Sequence, residues 1–217
     1  MYIPAFKRSL LALSVAAAGL VACNNDNKTE THAGADSTST TTTTTSTDTM
    51  HSMPMTDTAS SAPADHALAT LSGTKPDTTV NGTIKFDKDG SQVKMNLEIT
   101  VPKLANKSVA VHLHDHGDCG NMGKDAMGHW NPTNENHGKW GSGQFHSGDI
   151  GNIKLDGQGK GTLQLTSNRW SLGGDAKTNI LNRSVIVHSG VDDYTTQPSG
   201  NSGERIGCGV IQKTGSM

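Results

Sequence analysis

Residues 91–101, SQVKMNLEITV, alternate polar and apolar side chains without a break, so Val93, Met95, Leu97, Ile99 and Val101 share one face. A period of two is the mark of a strand with one buried face. The segment before it repeats the pattern with Val80, Ile84 and Phe86, and Asp89 and Gly90 between the two runs supply turn chemistry. Together they predict an antiparallel hairpin, preceded by a further strand near 67–72. Apolar runs of strand length recur at 108–114 (SVAVHLH), 150–155 (IGNIKL), 161–166 (GTLQLT), 184–188 (SVIVH) and 206–211 (IGCGVI). No helical period of useful length competes, so the predicted fold class is all-β, a sandwich or barrel of about eight short antiparallel strands. Aromatic residues make up only 4% of the chain, which leaves Val, Ile and Leu to fill the core.

The phase of two of these strands places polar chemistry. In SVAVHLH, Val109, Val111 and Leu113 fall on one face and His112 and His114 on the other; in SVIVH, His188 shares its face with Ile186. If the two strands are close in the sheet, three imidazoles converge outside the barrel wall. A lone outward imidazole is usually just solvated, but three beside a long loop are harder to dismiss. Residues 116–149 form that loop, rich in Gly, Asn, Lys and Pro and without periodicity, and they carry His129, His137, His146 and Asp149. Loops of this length in compact domains are usually functional or disordered, and a bound metal would supply the order that composition cannot.

The segments HLHDHGDC, GHWNP, HSGDIGN, VHSGVDD and GNSGERIGCGVI, in this order over residues 67–212, resemble the successive landmarks of the copper/zinc superoxide dismutases. The resemblance implies an eight-stranded antiparallel Greek-key sandwich or barrel with two long functional loops. It further implies dismutation of superoxide to oxygen and hydrogen peroxide by a cycling copper ion. His112, His114, His129 and His188 would be the copper ligands. His129, His137, His146 and Asp149 would hold zinc, with His129 bridging the two ions. Asp192 would accept hydrogen bonds from His112 and His137, and Arg205 would guide the anion beside the copper. The donor chemistry agrees: three imidazoles and a carboxylate suit a closed tetrahedral zinc site, and four imidazoles suit copper with an axial position left open. His116, two residues past His114, lies outside the implied ligand set and reads as a solvated loop residue. Trp130 and Trp140 flank ligand segments and are expected to cover the site or pack the loop.

The ends of the chain set its compartment. Lys7 and Arg8 precede an apolar run over 10–22 that is too short for a membrane span and fits a cleavable signal peptide. The tetrad LVAC ends at Cys23 and resembles a bacterial lipobox, which would make Cys23 the lipid-modified first residue of an envelope protein facing the periplasm. The expected organisation is a signal peptide over 1–22, a Thr/Ser-rich flexible tether over 23–66 and a metal-binding domain over 67–217. Met50, His51, Met53 and Met55 in the tether have soft-ligand character that could hold Cu(I). With Cys23 assigned to lipid, Cys119 and Cys208 remain as an even pair in an oxidising compartment, where a disulfide is expected. A net charge of -2 and a pI near 6.5 give no basic footprint, which excludes nucleic acid as a partner.

The partners expected are therefore superoxide and a membrane reached through the lipid anchor, the domain being either a monomer or a homodimer. Between His188 and Cys208 there is no lysine; Asp192, Asp193 and Glu204 are the acids and Arg205 the only cation. Weak long-range steering of the anion follows. The competing reading is a binding protein that carries or delivers copper and zinc outside the cytoplasm without turnover. An adhesive or scaffolding sandwich would leave the ligand spacing unexplained. His188, completing the copper set, together with Arg205 favours catalysis.

Overall fold

The computed structural model describes residues 62–215, and each apolar run of strand length named above within them forms a strand. The leader, Cys23 and the group Met50, His51, Met53 and Met55 lie outside the described residues. The strands are β1 (His66–Gly73), β2 (Asn81–Asp89), β3 (Gln92–Thr100), β4 (Ser108–His114), β5 (Gly151–Lys154), β6 (Lys160–Ser167), β7 (Ser184–His188), β8 (Arg205–Val210) and a two-residue β9 (Gln212–Lys213). Their order in the sheet is β5-β4-β7-β8-β1-β2-β3-β6, with β9 added beside β1, and every ladder is antiparallel. Eight strands wind into a nearly closed barrel, with crossings from β3 to β4 and from β6 to β7. The short β9 carried no sequence signal of its own.

The β2–β3 hairpin shows how pattern becomes register. Asp89 pairs with Gln92 across a two-residue turn, and Gly90 takes the positive φ of +61° that such a turn demands. That register puts Ile84 opposite Leu97 and Phe86 opposite Met95, all four buried on the inner face. Burying side chains of this size contributes about 1.5–3 kcal/mol each. Trp170, from the connection between β6 and β7, closes the core against Phe86 with ring centroids 6.1 Å apart.

The two long connections matter for the site. One runs from the end of β4 to β5, the other from the end of β7 to β8. Because β4 and β7 are antiparallel neighbours, with Val111 opposite Val187 and His114 opposite Ser184, these connections leave opposite ends of the shared ladder. Both then fold back over the outside of the same wall. Near the start of the first, Cys119 is disulfide-bonded to Cys208 on β8, across 89 residues of sequence. In the chain-entropy model a closure of that length contributes about 4.5 kcal/mol.

Candidate metal centre

His112 and His114 project from β4 on the face opposite Val109, Val111 and Leu113, as the strand period requires. The adjacency of β4 and β7 brings His188 to the same face, and a register shift between Val187 and His188 re-aims its ring. The sequence pattern placed these three imidazoles outside the barrel, and so they are. They are nonetheless buried, His112 fully, because the long connections cover them. His129 joins through a short antiparallel bridge to His114, continued by Trp130 N–H donating to the Leu113 carbonyl at 2.9 Å. Gly148 lies in the same crossing, where an added Cβ would collide with the Leu113 carbonyl, so only glycine lets the two loop segments meet there.

Five of the rings, those of His112, His114, His129, His137 and His188, are each fixed through one nitrogen. His112 Nε2 bonds Asp192 Oδ2 at 2.9 Å, His114 Nδ1 bonds the Met127 carbonyl at 2.8 Å, and His188 Nδ1 approaches the Gly203 carbonyl at 3.4 Å. His129 Nδ1 lies 2.9 Å from Asp149 Oδ1, and His137 Nε2 lies 2.9 Å from Asp192 Oδ1. The nitrogens left over are His112 Nδ1, His114 Nε2, His129 Nε2, His137 Nδ1, His146 Nδ1 and His188 Nε2. All six are buried and make no hydrogen bond. Leaving a buried polar atom unpaired costs about 1–3 kcal/mol. Six such atoms are a donor set for cations.

Geometry divides the donors into two groups, His112, His114, His129 and His188 in one and His129, His137, His146 and Asp149 in the other, with all ligand atoms of a group within 4.8 Å of one another. His129 belongs to both, one nitrogen on each side. In the second group Asp149 is the hub: Oδ2 lies 3.0 Å from His137 Nδ1 and Oδ1 lies 3.2 Å from His146 Nδ1. The Asp149 carboxylate also accepts the N–H groups of Gly138 and His146. A group of four neutral imidazoles thus sits against one that carries a carboxylate, the donor sets that suit copper and zinc respectively.

Electrostatics keep the first group neutral. Burial pushes His114 and His188 well below the usual imidazole value and takes His129 to about 4; it lowers His112 as well, against the pull of Asp192. Neutral rings keep the lone pairs that a metal needs. Burial alone would raise Asp149 and Asp192, but the imidazoles of His129, His137 and His146 around Asp149, and the hydrogen bonds of His112 and His137 to Asp192, hold both carboxyls well below their usual range. His137 goes the other way: burial would lower it, yet Asp149 and Asp192 on its two ring nitrogens raise it to about 9.

An open depression of about 590 Å³ reaches the imidazoles His114, His129 and His188. Arg205 stands on its wall, and its guanidinium donates to the carbonyls of Gly123, Lys124 and Met127. The Met127 carbonyl therefore serves both Arg205 and His114. Among the described residues Arg205 is the only Lys or Arg that lines the depression; Glu135 on its wall is paired with Arg169, and Glu204, next to Arg205 in sequence, with Lys75.

His116 is exposed beside Asp115 and belongs to neither group. Trp130 is buried in the core with the Arg183 guanidinium 4.4 Å above its ring, and Trp140 packs on Phe145 and Trp170. Both tryptophans pack the loop. Sequence reasoning missed Asn152, whose side chain grips the Asp192 backbone through two hydrogen bonds, and Gln197, which does the same for His137. It also missed Arg169, which bonds Glu135 and the Phe145 carbonyl and so ties together the two flanks of the 130–147 segment.

Comparison with known proteins agrees with this geometry. The family described as copper/zinc superoxide dismutase matches residues 80–211. The superoxide dismutase [Cu-Zn] of Kluyveromyces lactis is 37% identical over 154 residues, covering 67% of this chain and 96% of that protein. The extracellular superoxide dismutase [Cu-Zn] of Caenorhabditis elegans is 35% identical over 140 residues, 62% of each chain. Among solved structures, that of the clock protein EA4 superposes with a TM-score of 0.63 at 29% identity, covering 71% of this chain and 98% of that one. With its paired donor sets on one barrel wall and this match over most of the barrel, the chain belongs to the copper/zinc superoxide dismutase family.

Proposed function

We propose that His112, His114, His129 and His188 hold copper and that His129, His137, His146 and Asp149 hold zinc, with His129 between the ions. The observation that carries this is the six buried, unpaired imidazole nitrogens, which gather at two foci and meet at His129. Dismutation of superoxide to oxygen and hydrogen peroxide is the activity, with copper and zinc as cofactors. Copper bound there would supply the electron exchange between successive superoxide ions.

The chain's own groups do the rest. Met127 and Gly203 carbonyls and the Asp192 carboxylate fix the ring tautomers of His114, His188 and His112, so that the opposite nitrogen of each faces the copper position. His129 lines the depression and its Nδ1 is turned to Asp149, which leaves Nε2 as the atom that holds a proton between the two halves of the reaction. Arg205 gives the incoming anion a fixed positive charge and the guanidinium hydrogens that its three carbonyl partners leave over.

The N-terminal reading is a bacterial envelope lipoprotein: signal peptide 1–22, lipid on Cys23, tether 23–66 and catalytic domain 67–217, working on the periplasmic side of a membrane. The basic start, the LVAC tetrad and a disulfide that fits an oxidising compartment support it, as does the extracellular relative. A carrier of copper and zinc without turnover would have no use for a cation anchored by three carbonyls beside the copper position. Loading the purified protein with both metals and measuring superoxide consumption tests the choice. The wild type is expected to be active and His114→Ala inactive; a fully metallated but inactive wild type would establish the carrier instead.

A further inference from the structure

The 189–204 connection touches His137 twice. At the ring, His137 Nε2 bonds Asp192 Oδ1 at 2.9 Å. At the main chain, the His137 N–H donates to Gln197 Oε1 at 2.9 Å, and Gln197 Nε2 donates to the His137 carbonyl at 3.0 Å. The amide of Gln197 thus pairs with the His137 peptide as a neighbouring strand would, across 60 residues of sequence. Nothing in the 116–149 connection offers His137 a ladder of its own.

The turn that presents Gln197 is itself braced. Asp193 caps it, its Oδ1 accepting the N–H groups of Thr195 at 2.9 Å and Thr196 at 2.8 Å, and its Oδ2 accepting the Thr196 hydroxyl at 2.6 Å. Gly200 N–H closes the turn on the Thr196 carbonyl at 2.7 Å, and Asp193 N–H returns to the Gly200 carbonyl at 2.9 Å. Gly200 has φ of +67° and lies so close to Asp192 and His137 that a Cβ would collide with both side chains. The contact surface is built for one histidine in one orientation.

We propose that Gln197 is a positioning residue for the zinc set, fixing the main chain of His137 while Asp192 fixes its ring, so that Nδ1 already faces Asp149 before an ion arrives. This rests on the assignment of His137 as a zinc ligand made above. A ligand on an irregular loop must otherwise be ordered at the expense of the ion's affinity, and partners that take over this ordering change metal affinity by about ten- to hundred-fold. Arg169 steadies the same loop at Glu135 and Phe145, but Gln197 alone of the two bonds a ligand residue directly.

Zinc release from the full-length protein to a chromophoric chelator, together with the visible spectrum of Co(II) placed in the zinc site, tests the proposal. Gln197→Ala is expected to release zinc about ten-fold faster and to shift the Co(II) bands. Gln197→Glu keeps the shape but loses the donor to the His137 carbonyl, and is expected to do the same. Thr195→Ala, in the same turn, is expected to behave as the parent. Release from Gln197→Ala within about three-fold of the parent would overturn the proposal. Parent-like release from Gln197→Glu, or release from Thr195→Ala as fast as from Gln197→Ala, would do so equally. His137→Ala separates the two levels. Zinc held as tightly as in the parent would sink the ligand assignment itself, whereas zinc lost there with Gln197→Ala unchanged sinks only the positioning role.

Discussion

Arg205 concentrates in one side chain the tasks of fixed charge and short-range contact. Among the described residues it is the one Lys or Arg on the wall of the depression, and its guanidinium is spread over three backbone carbonyls rather than paired with an acid. A lysine at this position would keep the charge but lose the fork that reaches those carbonyls. Arg205→Ala is accordingly expected to lower kcat/KM for superoxide by roughly ten-fold or more, and Arg205→Lys by less. The salt dependence is the sharper measurement. With no lysine in the 189–207 segment, the wild-type rate is expected to fall only gently with ionic strength, and Arg205→Ala to show almost no dependence. A steep fall that persists in Arg205→Ala would mean that steering comes from cations elsewhere on the surface.

Strands and loops differ in how far the sequence exposed them. Strict alternation in β3 and the phase of His112 and His114 in β4 depend only on backbone period, so eight strands and the outward set of the imidazoles could be read directly. The burial of those imidazoles could not, because it is made by two connections that fold back over the wall. Gln197 meets His137 across 60 residues and Asn152 meets Asp192 across 40, in segments with no period to signal either contact. The 119–128 turn is of the same kind. Its carbonyls at Gly123, Lys124 and Met127 hold Arg205, and its first residue is disulfide-bonded to β8. Cys119→Ser with Cys208→Ser is therefore expected to do two things: lower stability by about 2–5 kcal/mol in denaturant unfolding, and reduce activity by loosening Arg205 while zinc stays bound. Zinc retention is the telling measurement, since His137 and His146 are held at Asp149, Asp192 and Gln197, away from this turn, and only His129 adjoins it. Simultaneous loss of zinc would show that the disulfide supports the whole 116–149 connection.

At the scale of the molecule, the barrel keeps an array of imidazoles dry, and proton linkage gives that arrangement a definite sign in the metal-free protein. His112, His114, His129 and His188 all have folded values below the unfolded value of 6.5, that of His129 at about 4. As pH falls below 6.5 the unfolded chain takes up protons at these rings before the folded one does, so stability present above 6.5 is lost as pH drops towards 4. Asp149 and Asp192, held low by their histidine partners, add a further loss as pH falls below the ordinary carboxylate range. His137 opposes this. Raised to about 9, it contributes stability that is complete below 6.5 and lost as pH rises through 9. Below pH 6.5 the contribution of His137 no longer changes and the four depressed rings set the slope, so the melting temperature of chelator-treated protein is expected to fall between pH 6.5 and 4. Metal binding stabilises the folded state by mass action, so the loaded protein should melt higher than the stripped one at neutral pH. The gap should close on acidification as protons compete for the same six nitrogens. A stripped protein whose melting temperature holds or rises from pH 6.5 to 4 would mean that burial of the four depressed rings opposes their protonation far less than their position beneath the two loops implies.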